Sequence, residues 1–292
     1  MAGEGFNYKK GRPVAVALQR FLQLLQTAPA CLVTVESTQG SAPRERGAWM
    51  GVWAEDDVAI AGTIGGGHLE LEAIALARSL LAAAPDAQGA VVKRWSLGPS
   101  LGQCCGGVVN LRFEVIASAD AAALKKRLQP DLHPLALFGG GHVGQAIVNA
   151  LAPLPFAIRW IDSRDSVFPE QLPPQVECEH SDPVEAAVRD LDAHSRVLIM
   201  SFSHAEDLNI VAACLKRQRE SNDLPFIGLI GSATKRAVFT SRLRQRGFSD
   251  EEIAHITCPI GVPGITGKEP EVIAASVAAQ LLQSLYSQGG LG

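Results

Sequence analysis

The stretch Leu135-Ala136-Leu137-Phe138-Gly139-Gly140-Gly141-His142-Val143-Gly144 decides how the second half of the chain is read. Four apolar residues predict a short buried strand, and the glycines after them predict a tight turn into a helix running to Ala150. In the Gly139/Gly141/Gly144 pattern the first glycine allows the turn, the second lets a phosphate approach the backbone, and the third lets helix and strand pack closely. With His142 at the head of that helix, its first amides face an anion. Asp162 ends the next predicted strand, Ala157 to Ile161, at about the 20-residue spacing of an acid that grips ribose hydroxyls. The plain alternative is that the glycines serve only the turn and the packing.

Working outward, Arg196 to Met200 and Phe226 to Ile230 are apolar runs of the kind found in buried parallel strands. Helices are predicted over Pro183 to Asp190, Glu206 to Arg219, Thr234 to Arg246 and Glu271 to Tyr286, and Ser249 to Glu252 has the form of a capping box. Strand and helix alternate, so this half is expected to be a Rossmann-like, doubly wound parallel sheet. In such sheets ligands bind outside the strand C-termini. Ser201-Phe202-Ser203-His204 and Gly228-Leu229-Ile230-Gly231-Ser232 fall there, with Lys235 and Arg236 just beyond. His204 is a candidate acid/base or ligand, or a hydrogen-bonded loop histidine. Gly231 and Ser232 are candidates for holding a phosphate on backbone amides, or are a turn and helix cap. Cys258 to Gly267 is Gly/Pro-rich and is read as structural.

The first half predicts an α+β domain. Pro13 to Gln26 and Leu69 to Ala84 are helical. Ala30 to Val35, Val91 to Leu97 and Val108 to Ile116 are strands, and Trp49 to Trp53 pairs with Val58 to Ala61 around Glu55-Asp56-Asp57. Ala117 to Pro134 carries a short charged helix and two prolines and reads as a connection. The expected division is residues 1–119, a linker over 120–134, and residues 135–292. Three segments of the first domain could carry chemistry. Gly40 to Gly47 holds Arg44 and Arg46, able to clamp a phosphate or carboxylate, or simply to form a solvated turn with local Arg–Glu pairing. Gly62 to Glu70 places Gly65, Gly66, Gly67 and His68 between a strand and a helix start. Leu101-Gly102-Gln103-Cys104-Cys105-Gly106-Gly107 sets vicinal thiols among glycines, which suits a soft-metal ligand or redox nucleophile. Cys31, Cys178, Cys214 and Cys258 read as core or incidental.

Composition narrows the function classes. The chain has 292 residues, 47% hydrophobic and 19% charged, enough for about two domains of roughly 150 residues. The net charge of -4 has the wrong sign for a nucleic-acid binder. No apolar run reaches the roughly 18 residues of a membrane span, and Met1 to Lys10 lacks the apolar core of a signal peptide. Six scattered cysteines are not a disulfide framework, which points to a reducing, cytoplasmic setting. No Cys-x-x-Cys pair supports a structural zinc site.

Six segments in order resemble the XdhC family, the accessory proteins of bacterial xanthine dehydrogenase. They are GSAPRERGAWM from Gly40, GTIGGGHLE from Gly62, LGQCCGG from Leu101, LALFGGGHVGQA from Leu135, FIGLIGSATKR from Phe226 and CPIGVPGITGKEPEVIAASVAAQLL from Cys258. Broader relatives often carry Cys where His68 stands and one Cys where Cys104-Cys105 stand. Those two features resemble the branch that serves xanthine dehydrogenase rather than carbon monoxide dehydrogenase. The resemblance implies a molybdenum-cofactor (molybdopterin) chaperone without turnover of its own. Such a protein shields the cofactor while a cysteine desulfurase supplies the sulfido ligand, then delivers it to the apo-dehydrogenase. Its implied partners are that dehydrogenase, the desulfurase and the proteins of molybdenum-cofactor biosynthesis, and self-association as a homodimer is a further expectation. On this reading the glycine-rich helix starts suit the phosphate, Arg44 and Arg46 add charge, and Cys104 or Cys105 suits the molybdenum. The alternative is an NAD(P)-dependent oxidoreductase, with Gly139 to Gly144 and Asp162 on the dinucleotide and His204 as acid/base.

Overall fold

A computed structural model of the chain describes residues 14–54, 60–83, 89–98 and 106–286. It divides into two compact units, Met1–Pro130 and Asp131–Gly292. The first contains α1 (Val14–Leu25), β1 (Ala30–Gln39), β2 (Trp49–Val52), β3 (Ala61–Gly62), α2 (Gly67–Ala83), β4 (Ala90–Ser96), β5 (Val108–Ile116) and α3 (Ala121–Leu128). Its strands form an antiparallel sheet in the order β3-β2-β1-β5-β4.

Side-chain alternation along β1 sorts this sheet into two faces. Cys31, Val33 and Val35 join Leu69, Ala73, Ala77 and Leu81 of α2 in one core. Leu32 points the other way, into a core with Leu18, Phe21 and Leu25 of α1 and Leu124 and Leu128 of α3. Phe21 lies directly on β2, where a Cβ on Gly51 would come within 2.4 Å of its ring. The hairpin of β2 and β3 pairs Met50 with Gly62, and its expected polar turn at 55–57 lies outside the described residues. The helix read from sequence as part of a connection is packed: α3 buries two leucines in the first unit's core, and Arg127 pairs with Glu114 of β5 at 2.8 Å.

The second unit contains β6 (His133–Phe138), α4 (His142–Leu151), β7 (Phe156–Asp162), β8 (Val176–His180), β9 (Arg196–Ile199), α5 (His204–Ser221), β10 (Phe226–Leu229), α6 (Ala233–Gln245), α7 (Asp250–Ile253), β11 (Ile256–Thr257) and α8 (Pro270–Tyr286). Its six strands are all parallel, in the order β11-β10-β9-β6-β7-β8. The chain leaves β6 on one side for β7 and β8, then returns to the other side for β9, β10 and β11. This is the doubly wound Rossmann order, and its direction reverses at β6.

Both faces of this sheet are covered, which is why its central strands are mostly apolar. Leu135, Leu137, Trp160 and Leu198 face α4 and α8, where Ile147, Leu151, Val277 and Leu281 meet them. Phe138, Ile161, Val197, Ile199 and Leu229 face α5 and α6 and the 183–190 segment. That segment winds as a 3-10 helix, Val184–Asp190, instead of the α-helix expected. The apolar side of α8 packs within its own unit. The capping box forms as expected: Ser249 Oγ accepts from Glu252 N at 3.2 Å and Glu252 Oε2 accepts from Ser249 N at 2.8 Å. No helix among the described residues is long and apolar enough to cross a membrane.

Candidate functional site

The loops after β6, β7 and β9 converge where the sheet reverses direction. Gly139 N donates to Ile161 O and Met200 N to Phe138 O, each at 2.8 Å. Gly139 adopts φ +128°, and a Cβ there would lie 2.1 Å from Met200 O. A Cβ on Gly144 would lie 2.1 Å from Gly139 O, so the third glycine lets α4 sit on the turn. A Cβ on Gly140 would meet Val167 at 2.5 Å, whereas one on Gly141 would meet nothing within 4 Å. Gly141 is the N-cap of α4 and has no side chain to offer the first amides, and His142 beside it is exposed. The turn therefore presents one open glycine and one uncapped helix start, as phosphate approach requires.

Asp162 stands at the end of β7 as read, but its carboxylate is spent on the turn. Oδ2 accepts from Gly140 N at 2.7 Å and Arg164 Nη2 at 2.9 Å, and Oδ1 accepts from Arg164 N at 2.9 Å and Nε at 2.8 Å. Four donors fill the acceptor sites of a carboxylate. Burial opposes ionisation of Asp162, yet the hydrogen bonds from Arg164 and the Gly140 amide outweigh it and hold its carboxyl below the usual aspartate range. Arg164 in turn lies with its guanidinium 4.7 Å from the ring centre of Phe202, a residue 68% exposed on the loop after β9.

His204 is exposed at the first turn of α5, with its ring edge-on to Phe239. Asp207 does not serve it. That carboxylate is buried and accepts from Ser201 N at 2.8 Å, Ser201 Oγ at 2.7 Å and Lys235 Nζ at 2.6 Å. Ser232 caps α6, accepting from Lys235 N at 3.2 Å. Gly231 packs under Lys235, whose Cδ would be 2.7 Å from a Cβ there. The segment after β10 forms a turn and helix cap beside a buried ion pair.

In the first unit the 40–47 and 62–70 segments meet each other and residues 106–107 at one end of the sheet. A Cβ on Gly65 would touch Pro43 at 2.4 Å and Arg44 at 3.4 Å, and one on Gly40 would touch Gly107 at 3.4 Å. Arg44 pairs with neighbouring Glu45 at 3.3 Å. The loop after β3 is organised by Glu70, buried in the first turn of α2. Its Oε2 accepts from Thr63 Oγ1 at 2.6 Å and from the amides of Ile64 and Gly66 at 3.0 Å, while Thr63 Oγ1 accepts from Gly65 N at 3.0 Å. The amides of Gly65 and Gly66, expected to meet a phosphate, are therefore engaged within the loop. His68, 54% exposed, pairs with Glu72 at 3.3 Å. Replacing Glu70 by Ala strands several loop donors at once. Urea unfolding should show a loss of about 3 kcal/mol, with Glu70→Gln losing less, and a loss under about 0.5 kcal/mol would contradict this account.

Comparison with known proteins places this geometry in a family. Residues 135–281 match the XdhC Rossmann domain, and residues 24–92 match the XdhC and CoxI family. The chain belongs to the XdhC family. This XdhC-family chain is 29% identical over 261 residues to the uncharacterized protein YqeB of Escherichia coli (strain K12), covering 88% of the chain. It spans only 44% of that relative's length. A solved structure described as a xanthine dehydrogenase from Bacillus halodurans superposes with a TM-score of 0.72 at 20% identity, covering 92% of this chain and 97% of that one. At that identity the likeness is one of fold.

Among the thiols of this XdhC-family protein, Cys31 and Cys214 are buried, and burial pushes each up to about 12. Cys258 is buried and Cys178 exposed, and burial raises both. These four are poor nucleophiles at neutral pH. Cys104 and Cys105 lie outside the described residues, next to Gly106 and Gly107. Among the described residues no group of His, Cys, Asp or Glu is placed to hold a metal ion. The sequence reading passed over Glu70 and Arg164 as functional residues. The signals were an acid one turn into a helix after a glycine loop, and an arginine two residues beyond a strand-end acid.

Proposed function

We propose that this protein carries molybdenum cofactor in its molybdopterin form, shields it during sulfuration and delivers it to apo-xanthine dehydrogenase. The observation that carries this reading is the meeting of the 40–47, 62–70 and 106–107 segments at one end of the first unit's sheet. That meeting sets Arg44 beside the Gly65 loop, and in the sequence Cys104 and Cys105 directly precede Gly106. The cargo's molybdenum–dithiolene end is soft and oxidation-prone, and a thiolate matches it. Its phosphate is anionic, and an arginine or an uncapped helix start matches that. Membership of the XdhC family supports a role in xanthine dehydrogenase maturation.

In this role the protein turns nothing over. Its partners are the dehydrogenase, a cysteine desulfurase as sulfur donor, and the proteins that make the cofactor. Transient hand-over suits small interfaces with each. The oxidoreductase reading has less support, because Asp207, the carboxylate three residues from His204, is bound to Lys235 and gives His204 no acid partner.

Substituting Cys104 and Cys105 by Ala, singly and together, tests the thiolate role by molybdenum content after anaerobic incubation with the cofactor. The double variant is expected to lose about tenfold or more of its affinity, the effect of one lost strong contact. Equal stoichiometry and affinity in the double variant would reject it. Cells lacking the protein should assemble a dehydrogenase poor in sulfido ligand, and fully sulfurated enzyme there would reject the delivery role.

A further inference from the structure

We propose that the crevice of the second unit is a ribonucleotide site gated by Arg164, which moves from Asp162 to Glu206 when a ribose diol binds. The proposal does not rest on the cofactor-carrier reading. It starts from two carboxylates that flank one guanidinium. Asp162 has four donors and no acceptor site left for a sugar hydroxyl. Glu206, in the first turn of α5, is the reverse. Its Oε1 accepts from Ser163 Oγ at 2.8 Å, but its Oε2 is buried with no hydrogen-bond partner. Burying an unpartnered carboxylate oxygen is costly, so such an atom is expected to find a donor in some state of the protein.

Arg164 is a donor of the right chemistry. It adjoins Ser163, which already holds Glu206, and Glu206 acts electrostatically on it. Its guanidinium is held by Asp162 through Nε and Nη2, with its side chain 40% exposed and its face on the exposed ring of Phe202. A side chain so placed can pivot on the ring without crossing the core. When it does, Asp162 keeps the Gly140 and Arg164 amides and gains two free acceptor sites, and Glu206 Oε2 gains its missing donor.

The rest of the crevice fits a nucleotide carrying that diol. Gly141 leaves open space above the uncapped start of α4, which suits a phosphate. Phe202 offers a flat apolar ring on the loop after β9, across the point where the sheet reverses. A diol takes up both Asp162 oxygens, so it competes with Arg164 directly. The masked state lowers affinity by the fraction of molecules in which Asp162 is free.

Calorimetric titration of the full chain with AMP and with 2′-deoxy-AMP tests this. AMP is expected to bind at least about tenfold tighter, the worth of a hydrogen bond to a charged acceptor. Arg164→Met should strengthen AMP binding by about tenfold, since the competitor for Asp162 is gone. Arg164→Gln, which leaves a donor for Asp162 and guards against misfolding, should shift it the same way by less. Glu206→Gln should weaken AMP binding several-fold in the native background and leave it unchanged in the Arg164→Met background, where there is no guanidinium to receive. Thermal melting of each variant checks folding. The gate is overturned if Arg164→Met leaves AMP affinity equal or lower, or if Glu206→Gln acts equally in both backgrounds. The site itself is overturned if neither native protein nor Arg164→Met binds AMP, or if the deoxynucleotide binds as well. Either failure leaves molybdenum uptake untouched, so it is distinguishable from failure of the carrier reading.

Discussion

Gly139→Ala and Gly144→Ala are each expected to cost about 4 kcal/mol or more and to leave little soluble protein, while Gly141→Ala folds normally. The three residues share one motif, so the contrast comes only from what surrounds them. At Gly139 a Cβ would meet a backbone oxygen at 2.1 Å, and the φ of +128° is one that L side chains rarely adopt. At Gly144 the obstacle is Gly139 O, also at 2.1 Å. Neither neighbour is the end of a flexible side chain, so the turn itself must open. At Gly141 the φ is −72° and nothing lies within 4 Å. A methyl there should change stability by no more than about 0.5 kcal/mol, as for an ordinary surface substitution. It should instead obstruct a phosphate approaching the start of α4. Urea midpoints for the three variants, with an anion titration of Gly141→Ala, check both halves. A Gly141→Ala variant as unstable as the other two would remove the reason for assigning the second glycine to a ligand.

The turn role of Gly139 and the packing role of Gly144 were legible in the sequence because they depend on local spacing. Strand, glycine turn and helix occupy adjacent residues, and the apolar runs of β6, β7, β9 and β10 carry their burial on both sides. The elements that escaped are those whose stability is not local. Val176-Glu177-Cys178-Glu179-His180 has two acids and a histidine in five residues, yet it pairs in parallel with β7 as an edge strand. Its charges face solvent or a partner, as Glu179 does Arg159. At β11 two residues pair with β10 and no pattern exists to read. The site shows the same limit. Asp162 was found by its spacing, but the spacing could not say that Arg164 would fill its acceptor sites. Gly65 and Gly66 were found as glycines, but only folding places Glu70 beneath their loop. Residue type and interval predict where a polar group stands, and the competition among nearby donors decides whether it remains available to a ligand.

Asp207→Ala is expected to be the most damaging polar substitution in the second unit, at about 3–5 kcal/mol. Asp207 is 2% exposed, and the Lys235 side chain is 12% exposed. Removing the carboxylate leaves an ammonium with Ile230 O at 2.8 Å as its remaining acceptor, strips the Ser201 amide of its acceptor, and leaves the Ser201 hydroxyl only Ser203 O at 3.2 Å. Lys235→Met should cost less, because Asp207 keeps two donors from Ser201 and the methionine stem still packs over Gly231 and Phe239. The double variant Asp207→Leu/Lys235→Met should recover much of the loss. A buried pair contributes little net stability over apolar groups of similar volume, whereas half a pair is strongly unfavourable. Chemical denaturation of the three variants measures the coupling. Additive losses would mean that the two side chains do not act as a unit, and with that the loops after β9 and β10 would lose the tie that fixes one side of the crevice relative to the other.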